Sequence, residues 1–85
     1  MKISSNGDFE KDFKKLPNKI KQKFKERIVL LQQDPFDPIL SNHSLRGKYL
    51  DHRSINVTGD IRAIFKKKDE EIHFVAIGSH SKLYG

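Results

Sequence analysis

The end of the chain gathers three side chains that can donate or move protons: His80, Lys82 and Tyr84, within Gly78-Ser79-His80-Ser81-Lys82-Leu83-Tyr84-Gly85. Imidazole, ammonium and phenol each donate a hydrogen bond, and the first two can be cationic near neutral pH. That combination suits a phosphate-bearing substrate. Tyr84 can stack on a base or orient a phosphate, or can simply pack the tail back onto the domain. A second imidazole, His43, lies in a polar setting between Asn42 and Ser44 and can serve proton transfer or a loop hydrogen bond. Arg53 and Arg62 are candidate phosphate clamps, because guanidinium is always charged and forks onto oxyanions. A structural salt bridge is the competing role for Arg62. Asp60, next to Gly59, can accept a proton, orient a histidine, or be an ordinary turn residue.

Termini usually fray, so the terminal groups are useful only if an element anchors them. Ile72-His73-Phe74-Val75-Ala76-Ile77 runs into Gly78 and reads as that element, a strand. Two further strands are expected over His52–Val57 and Ile61–Lys67, joined through Thr58-Gly59-Asp60 and Lys68-Asp69-Glu70-Glu71, both hairpin-sized links. Ile55 and Val57, then Ile61, Ala63 and Phe65, then Phe74 and Ala76 supply one apolar face by alternation. Alternation puts Arg53 on the Ile55 face, so it reaches a substrate only from the strand's open end. Ahead of this meander, Met1–Ser4 reads as a brief strand and Asp8 as a helix N-cap. Phe9, Phe13 and Leu16, then Ile20, Phe24, Ile28 and Leu31, fall at helical spacing, with Val29 and Leu30 widening the stripe. Pro17 fits the first turn of the second helix, and Asp34-Pro35-Phe36-Asp37-Pro38 ends it. The expected fold is α+β, an N-terminal helical hairpin over residues 5–33 packed on a small antiparallel sheet, with a short C-terminal tail. Residues 39–51 are the one long irregular stretch, and such stretches are often functional.

Eighty-five residues make a single domain, 1–85, with net charge +6 and no cysteine. The charge favours a polyanionic partner, with a lysine-rich surface that serves solubility alone as the competing account. Residues 1–33 hold nine of the 17 Lys/Arg and only four of the 11 Asp/Glu, so the excess lies mainly on the helices. Those lysines either face water or grip a nucleic acid, which would make association strongly salt-dependent. Without cysteine there is no disulfide, thiolate nucleophile or cysteine zinc site. No apolar run approaches a membrane span and no signal peptide opens the chain, so a cytoplasmic protein without membrane contact is expected. His43, Asp60 and His80 lack metal-ligand spacing, and no P-loop, nucleophile elbow or dinucleotide fingerprint is present, so neither metal nor cofactor is expected.

Taken in order, the motifs resemble a known superfamily. Phe9-Glu10-Lys11-Asp12-Phe13-Lys14-Lys15-Leu16, a helix ending at Asp34-Pro35, His43-Ser44-Leu45-Arg46-Gly47, Arg53-Ser54, Gly59-Asp60-Ile61-Arg62 and Ile77-Gly78-Ser79-His80-Ser81-Lys82-Leu83-Tyr84 span almost the whole chain. The series resembles the RelE/ParE toxins of type II toxin–antitoxin systems, and within them the YafQ-like branch. That resemblance implies a ribosome-dependent endoribonuclease that cuts messenger RNA (an mRNA interferase). It also implies a cognate antitoxin, with operator DNA bound only through the toxin–antitoxin complex. His43, Asp60, His80 and Tyr84 match the positions implicated in cleavage, and Arg53 matches a basic residue near the scissile phosphate. Arg46, Lys48 and Lys82 are expected as peripheral phosphate contacts. The YafQ-like pattern has an acidic residue and a histidine where this chain has Ser54 and Asn56, neither of which titrates near pH 7. Two other readings follow: a ParE-like gyrase-binding toxin, and a catalytically degenerate binding module.

Overall fold

A computed structural model describes residues 1–84. Gly85, the last of the eight terminal residues singled out above, lies outside the described residues. The chain runs β1 (Lys2–Ser5), α1 (Gly7–Lys14), α2 (Asn18–Gln33), β2 (His43–Ser44), β3 (Arg53–Thr58), β4 (Ile61–Lys68), β5 (Glu71–Ser79) and α3 (His80–Tyr84). Short 3₁₀ turns at Pro38–Leu40 and Gly47–Tyr49 punctuate the stretch that the sequence left irregular. The sheet order is β1-β5-β4-β3-β2.

The helical hairpin and meander agree with the sequence pattern, except that a bulge in β5 turns Ala76, expected on the apolar face, to the other face opposite Ile64. Three further details differ. First, the sheet is mixed, because β1 pairs parallel to β5 with Ile3 opposite Ile72 and Ser5 opposite Phe74. The chain then turns at Asn6, whose N–H donates to the Phe74 carbonyl (3.1 Å), and this delivers α1 directly onto the apolar face. An antiparallel β1 would send the chain toward the opposite end of β5. Second, the N-cap of α1 is Asn6, not Asp8: Asn6 Oδ1 accepts from the Phe9 N–H at 2.8 Å. Asp8 falls in the first turn, where its charge suits the helix dipole. Third, the short tail, to which the sequence pattern assigned no element, forms the helix α3. Val29, counted in the stripe of α2, is 53% exposed.

The core lies between the helices and one sheet face. Phe9, Phe24, Leu31, Leu40, Ile55, Val57, Ala63, Phe65, Ile72, Phe74 and Ile77 form one buried cluster. Within it Phe74 meets Phe9, Phe24 and Phe65 at ring separations of 5.5, 5.0 and 5.6 Å, in tilted and edge geometries that aromatic quadrupoles favour. Both links in the meander are two-residue hairpins, Thr58 pairing with Ile61 and Lys68 with Glu71. Each begins with a left-handed residue, Gly59 (φ 43°) and Asp69 (φ 54°), which suits the sheet's twist. A bulge at Val57 interrupts the β3–β4 ladder, and Arg27 Nε of α2 donates to the Val57 carbonyl at 3.2 Å.

At the β1–β5 junction, Ser4 Oγ donates to Glu71 (2.6 Å) and lies 2.7 Å from His73 Nδ1, which must then carry its proton. The Ser4 hydroxyl is the main cause of a Glu71 carboxyl pKa below the ordinary value, helped by Lys2 and His73 against some desolvation. A carboxyl depressed in the native state adds stability above its unfolded pKa and loses it as pH falls through the native value. Ser4→Ala is therefore expected to move the Glu71 titration upward toward the ordinary carboxylate range, read by carboxyl carbon NMR.

Candidate active site

The sheet's second face, away from the main core, carries the side chains of interest. β4 presents Arg62, Ile64, Lys66 and Lys68 there by strict alternation, while Ile61, Ala63 and Phe65 face the helices. Arg62 pairs in register with Asn56 of β3 and Gly78 of β5. It therefore stands near the end of the sheet where β5 passes into α3.

Its guanidinium is held by two hydrogen bonds. Arg62 Nε donates to Ser54 Oγ at 2.7 Å, and Nη2 donates to the Ser41 carbonyl at 3.0 Å. The same Nη2 lies 3.4 Å from His43 Nδ1. His43 Nδ1 in turn sits 2.9 Å from the Ser41 carbonyl. A carbonyl only accepts, so this contact assigns the proton to Nδ1 and leaves Nε2 of the neutral ring as an acceptor. Ser41 reaches this position in a left-handed conformation, φ 45°, at the end of the Pro38–Leu40 turn. Among the described residues the ion pairs are Lys23–Glu26 and Lys82–Asp12. Arg62 thus has no carboxylate partner there, and the salt-bridge alternative for it does not hold.

The terminal helix brings the remaining groups. Ser79 Oγ accepts from the Lys82 N–H at 3.2 Å and caps α3. Leu83 is buried, and Lys82 Nζ pairs with Asp12 Oδ1 of α1 at 3.1 Å. Gly78 allows this closure, because a β-carbon there would meet the Lys82 side chain at 3.0 Å. With α3 anchored, the rings of His80 and Tyr84, one helical turn apart, meet at a centroid separation of 4.8 Å, tilted by 53°. Tyr84 also meets Tyr49 edge-on at 6.4 Å.

His43, Arg62, His80 and Tyr84, with Leu45, line a single cleft of about 290 Å³. Two imidazoles separated by 37 positions in the chain thus face one space beside an uncompensated guanidinium. Such a set can accept one proton, donate another and stabilise charge developing between them.

The other expected residues lie elsewhere. Asp60 is exposed in the β3–β4 hairpin and does not line the cleft. Arg53 lies on the Ile55 face, as alternation required, but does not reach the cleft. Its Nε donates to Asn42 Oδ1 at 2.7 Å and its guanidinium lies 5.3 Å from the Phe36 ring centre, beside an apolar groove with Leu31 and Phe65. Neighbouring residues at the entry to β2 accompany the split: Asn42, just before the strand, accepts from Arg53, and His43, its first residue, lies beside Arg62. Lys82 is engaged with Asp12 rather than extended toward the cleft. Arg46 and Lys48 are exposed on the loop after β2, Lys48 with its ammonium 5.3 Å from the Tyr49 ring centre.

Ser54 and Asn56 have structural duties. Ser54 is fully buried and receives Arg62, and Asn56 Nδ2 donates to the Gly59 carbonyl at 3.2 Å. Alternation could have revealed the Ser54–Arg62 pairing, since both fall on the same sheet face. The Ser41 contribution is a backbone carbonyl and has no sequence signature. Among the described residues no three His, Cys, Asp or Glu side chains converge as metal ligands, and no helix is long and apolar enough to cross a membrane.

A model of the family described as bacterial toxin of type II toxin-antitoxin system, YafQ, matches residues 1–85. Among solved structures, YafQ from E. coli strain BL21(DE3) is similar at TM-score 0.84 and 26% identity, over 98% of this chain and 97% of that one. The E. coli DinJ-YafQ toxin-antitoxin complex gives TM-score 0.82 at 28% identity, covering 98% and 96%. A YoeB/ParE toxin from Agrobacterium tumefaciens gives TM-score 0.79 at 15% identity, covering 94% and 99%, a likeness of fold alone. No curated protein matches the chain significantly.

Proposed function

The chain belongs to the YafQ family of bacterial type II toxin–antitoxin toxins, and from that premise we propose that it is an endoribonuclease cutting messenger RNA on the ribosome. The observation that carries this reading is the cleft itself, where two imidazoles flank an arginine with no carboxylate partner.

In the proposed reaction the scissile phosphate sits against Arg62. His43 Nε2 takes the proton from the ribose 2′-OH, and the 2′-oxygen attacks phosphorus. The bond from phosphorus to the 5′-oxygen breaks as His80 donates a proton to that oxygen. The products are a 2′,3′-cyclic phosphate and a free 5′-hydroxyl, so atoms and charge balance without a metal. Arg62 offsets the charge that builds on the phosphoryl oxygens, and its fixed position means little reorganisation is needed at that moment. Tyr84 buttresses the His80 ring and offers a face on which a base can stack. Asp60 keeps a catalytic role in this scheme only by acting through water or a conformational adjustment of its hairpin. Arg46 and Lys48 contact flanking phosphates.

A cognate antitoxin partner is proposed by likeness to the DinJ-YafQ complex. Operator DNA would then be reached only through that complex, and the site of action is the cytoplasm. The gyrase-binding alternative rests on a likeness of fold alone and does not call for two imidazoles in one cleft.

Primer extension on messenger RNA from cells expressing the protein without antitoxin tests the proposal. Discrete new 5′ ends in translated transcripts are expected. Intact transcripts together with failed DNA supercoiling or replication would overturn it in favour of gyrase binding.

A further inference from the structure

The second sheet face carries more positive charge than the cleft uses. Beyond Arg62, the same row of β4 continues outward through Lys66 and Lys68. At about 3.3 Å per residue these stand roughly 13 and 20 Å from Arg62 along the strand. They line a second groove of about 340 Å³ with His52, His73, Val75 and Glu71, slightly larger than the cleft itself. Glu71, opposite Lys68 in register, forms no ion pair with it and takes the Ser4 hydroxyl instead. Neither lysine belongs to an ion pair among the described residues.

A line of rings connects the two grooves. Tyr84, at the cleft, meets Tyr49 at 6.4 Å, and Tyr49 meets His52, at the second groove, at 6.0 Å. Lys48 sits over the Tyr49 ring. Aromatic faces interleaved with cations are what a single-stranded nucleic acid uses, bases stacking while phosphates follow the charge. An acidic protein segment would use the lysines and has less need of the rings.

We propose that the groove lined by His52, Lys66, Lys68 and His73 is a second RNA-binding subsite, joined to the cleft by the Tyr84–Tyr49–His52 ridge. It takes the phosphates of the single strand about four to six nucleotides from the scissile bond, counting a stacked strand at about 3.4 Å per nucleotide. The inference rests on the nuclease reading for what occupies the cleft, but binding in the groove is measured separately from cleavage.

The test uses the full-length protein and labelled 2′-O-methyl oligoribonucleotides of about three and about ten nucleotides, a length range suited to a short single-strand site. Without a 2′-OH they bind but cannot be cut. The variant is Lys66→Gln/Lys68→Gln, both positions being exposed, with a thermal melt to confirm that it folds. For the long oligonucleotide, affinity is expected to fall about tenfold at low salt. The slope of log affinity on log salt should become shallower by about 1.4, two phosphate contacts at about 0.7 each. The short one should bind wild type and variant alike. Unchanged binding of the long oligonucleotide, or equal loss for both lengths, overturns the subsite. Polyglutamate of matched charge binding as tightly as the long oligonucleotide also overturns it, assigning the groove to an acidic protein segment. Intact transcripts in the primer-extension experiment alongside the expected length-dependent loss would remove the nuclease and leave the subsite. Cut transcripts with an indifferent variant would do the reverse.

Discussion

Replacing His80 with alanine is expected to lower messenger-RNA cleavage about 10²–10⁴-fold and to relieve growth arrest, without loss of fold. The magnitude is that of a positioned proton donor removed from a transition state. Fold should survive because His80 is exposed and α3 is held by other groups: the Ser79 cap, the Lys82–Asp12 pair and buried Leu83. Single-turnover cleavage of ribosome-programmed message and a thermal melt of the same preparation decide it. A variant that cuts at the wild-type rate removes His80 from the chemistry. A variant that melts well below wild type shows a structural role. His43→Gln completes the pair, since glutamine can keep a donor toward the Ser41 carbonyl but cannot take the 2′-OH proton. If two proton transfers are coupled in one step, the double variant should lose far less than the product of the single losses.

The second large effect is on stability. Phe74→Ala is expected to cost about 3–5 kcal/mol, the range for emptying a buried aromatic site. Small domains are stable by only about 5–15 kcal/mol, so about a fifth or more of the total is at stake. Phe74 is 1% exposed and touches rings from both helices and from β4, so its removal leaves a void that three separate elements would have to close. In a domain of this size the melting temperature should fall by upwards of about 12 °C. Phe74→Leu keeps most of the volume and should cost under about 1.5 kcal/mol. A Phe74→Ala protein that melts near wild type would mean that the ring cluster does not hold the helices to the sheet.

The two experiments address different layers of the molecule. Phe74 lies on the helix-facing side of the sheet and the His43–His80 cleft on the other. Residues of β4 serve both: Phe65 packs against Phe74, while Arg62 and Ile64 turn to the opposite face. Loss of the core would therefore degrade the cleft indirectly, by releasing the strands that carry Arg62 and Ser54. Loss of a cleft residue need not disturb the core.

Periodicity made the helices and the meander legible. Phe9, Phe24 and Leu31 repeat at helical spacing, and Ile55, Val57, Ala63 and Phe65 alternate, and each of these is buried where its pattern puts it. Both hairpins were visible because two-residue loops with a left-handed first position favour residues such as Gly59 and Asp69. Resemblance in the ordered motifs pointed to the family that the whole chain matches. The direction of β1 was not legible. A four-residue strand has the same pattern whichever way it pairs, and the Asn6–Phe74 contact that selects the parallel arrangement joins residues 68 positions apart.

The candidate residues divide in the same way. By itself the sequence determined which groups were available, the imidazoles of His43 and His80 and the guanidiniums of Arg53 and Arg62 among them, and on which face of its strand each strand residue would fall. That is local information, because side-chain direction follows from backbone period alone. Tertiary structure decided which groups meet. It brought His43 and His80 to one cleft through β2 and α3, fixed Arg53 to Asn42 away from that cleft, and left Asp60 on an exposed turn. Those outcomes depend on register, on a left-handed Ser41 whose carbonyl holds both His43 and Arg62, and on a five-residue helix latched to α1. Apart from the His43–Ser41 bond, which spans two residues, each is a contact between segments distant in the chain, where neither segment alone encodes the distance.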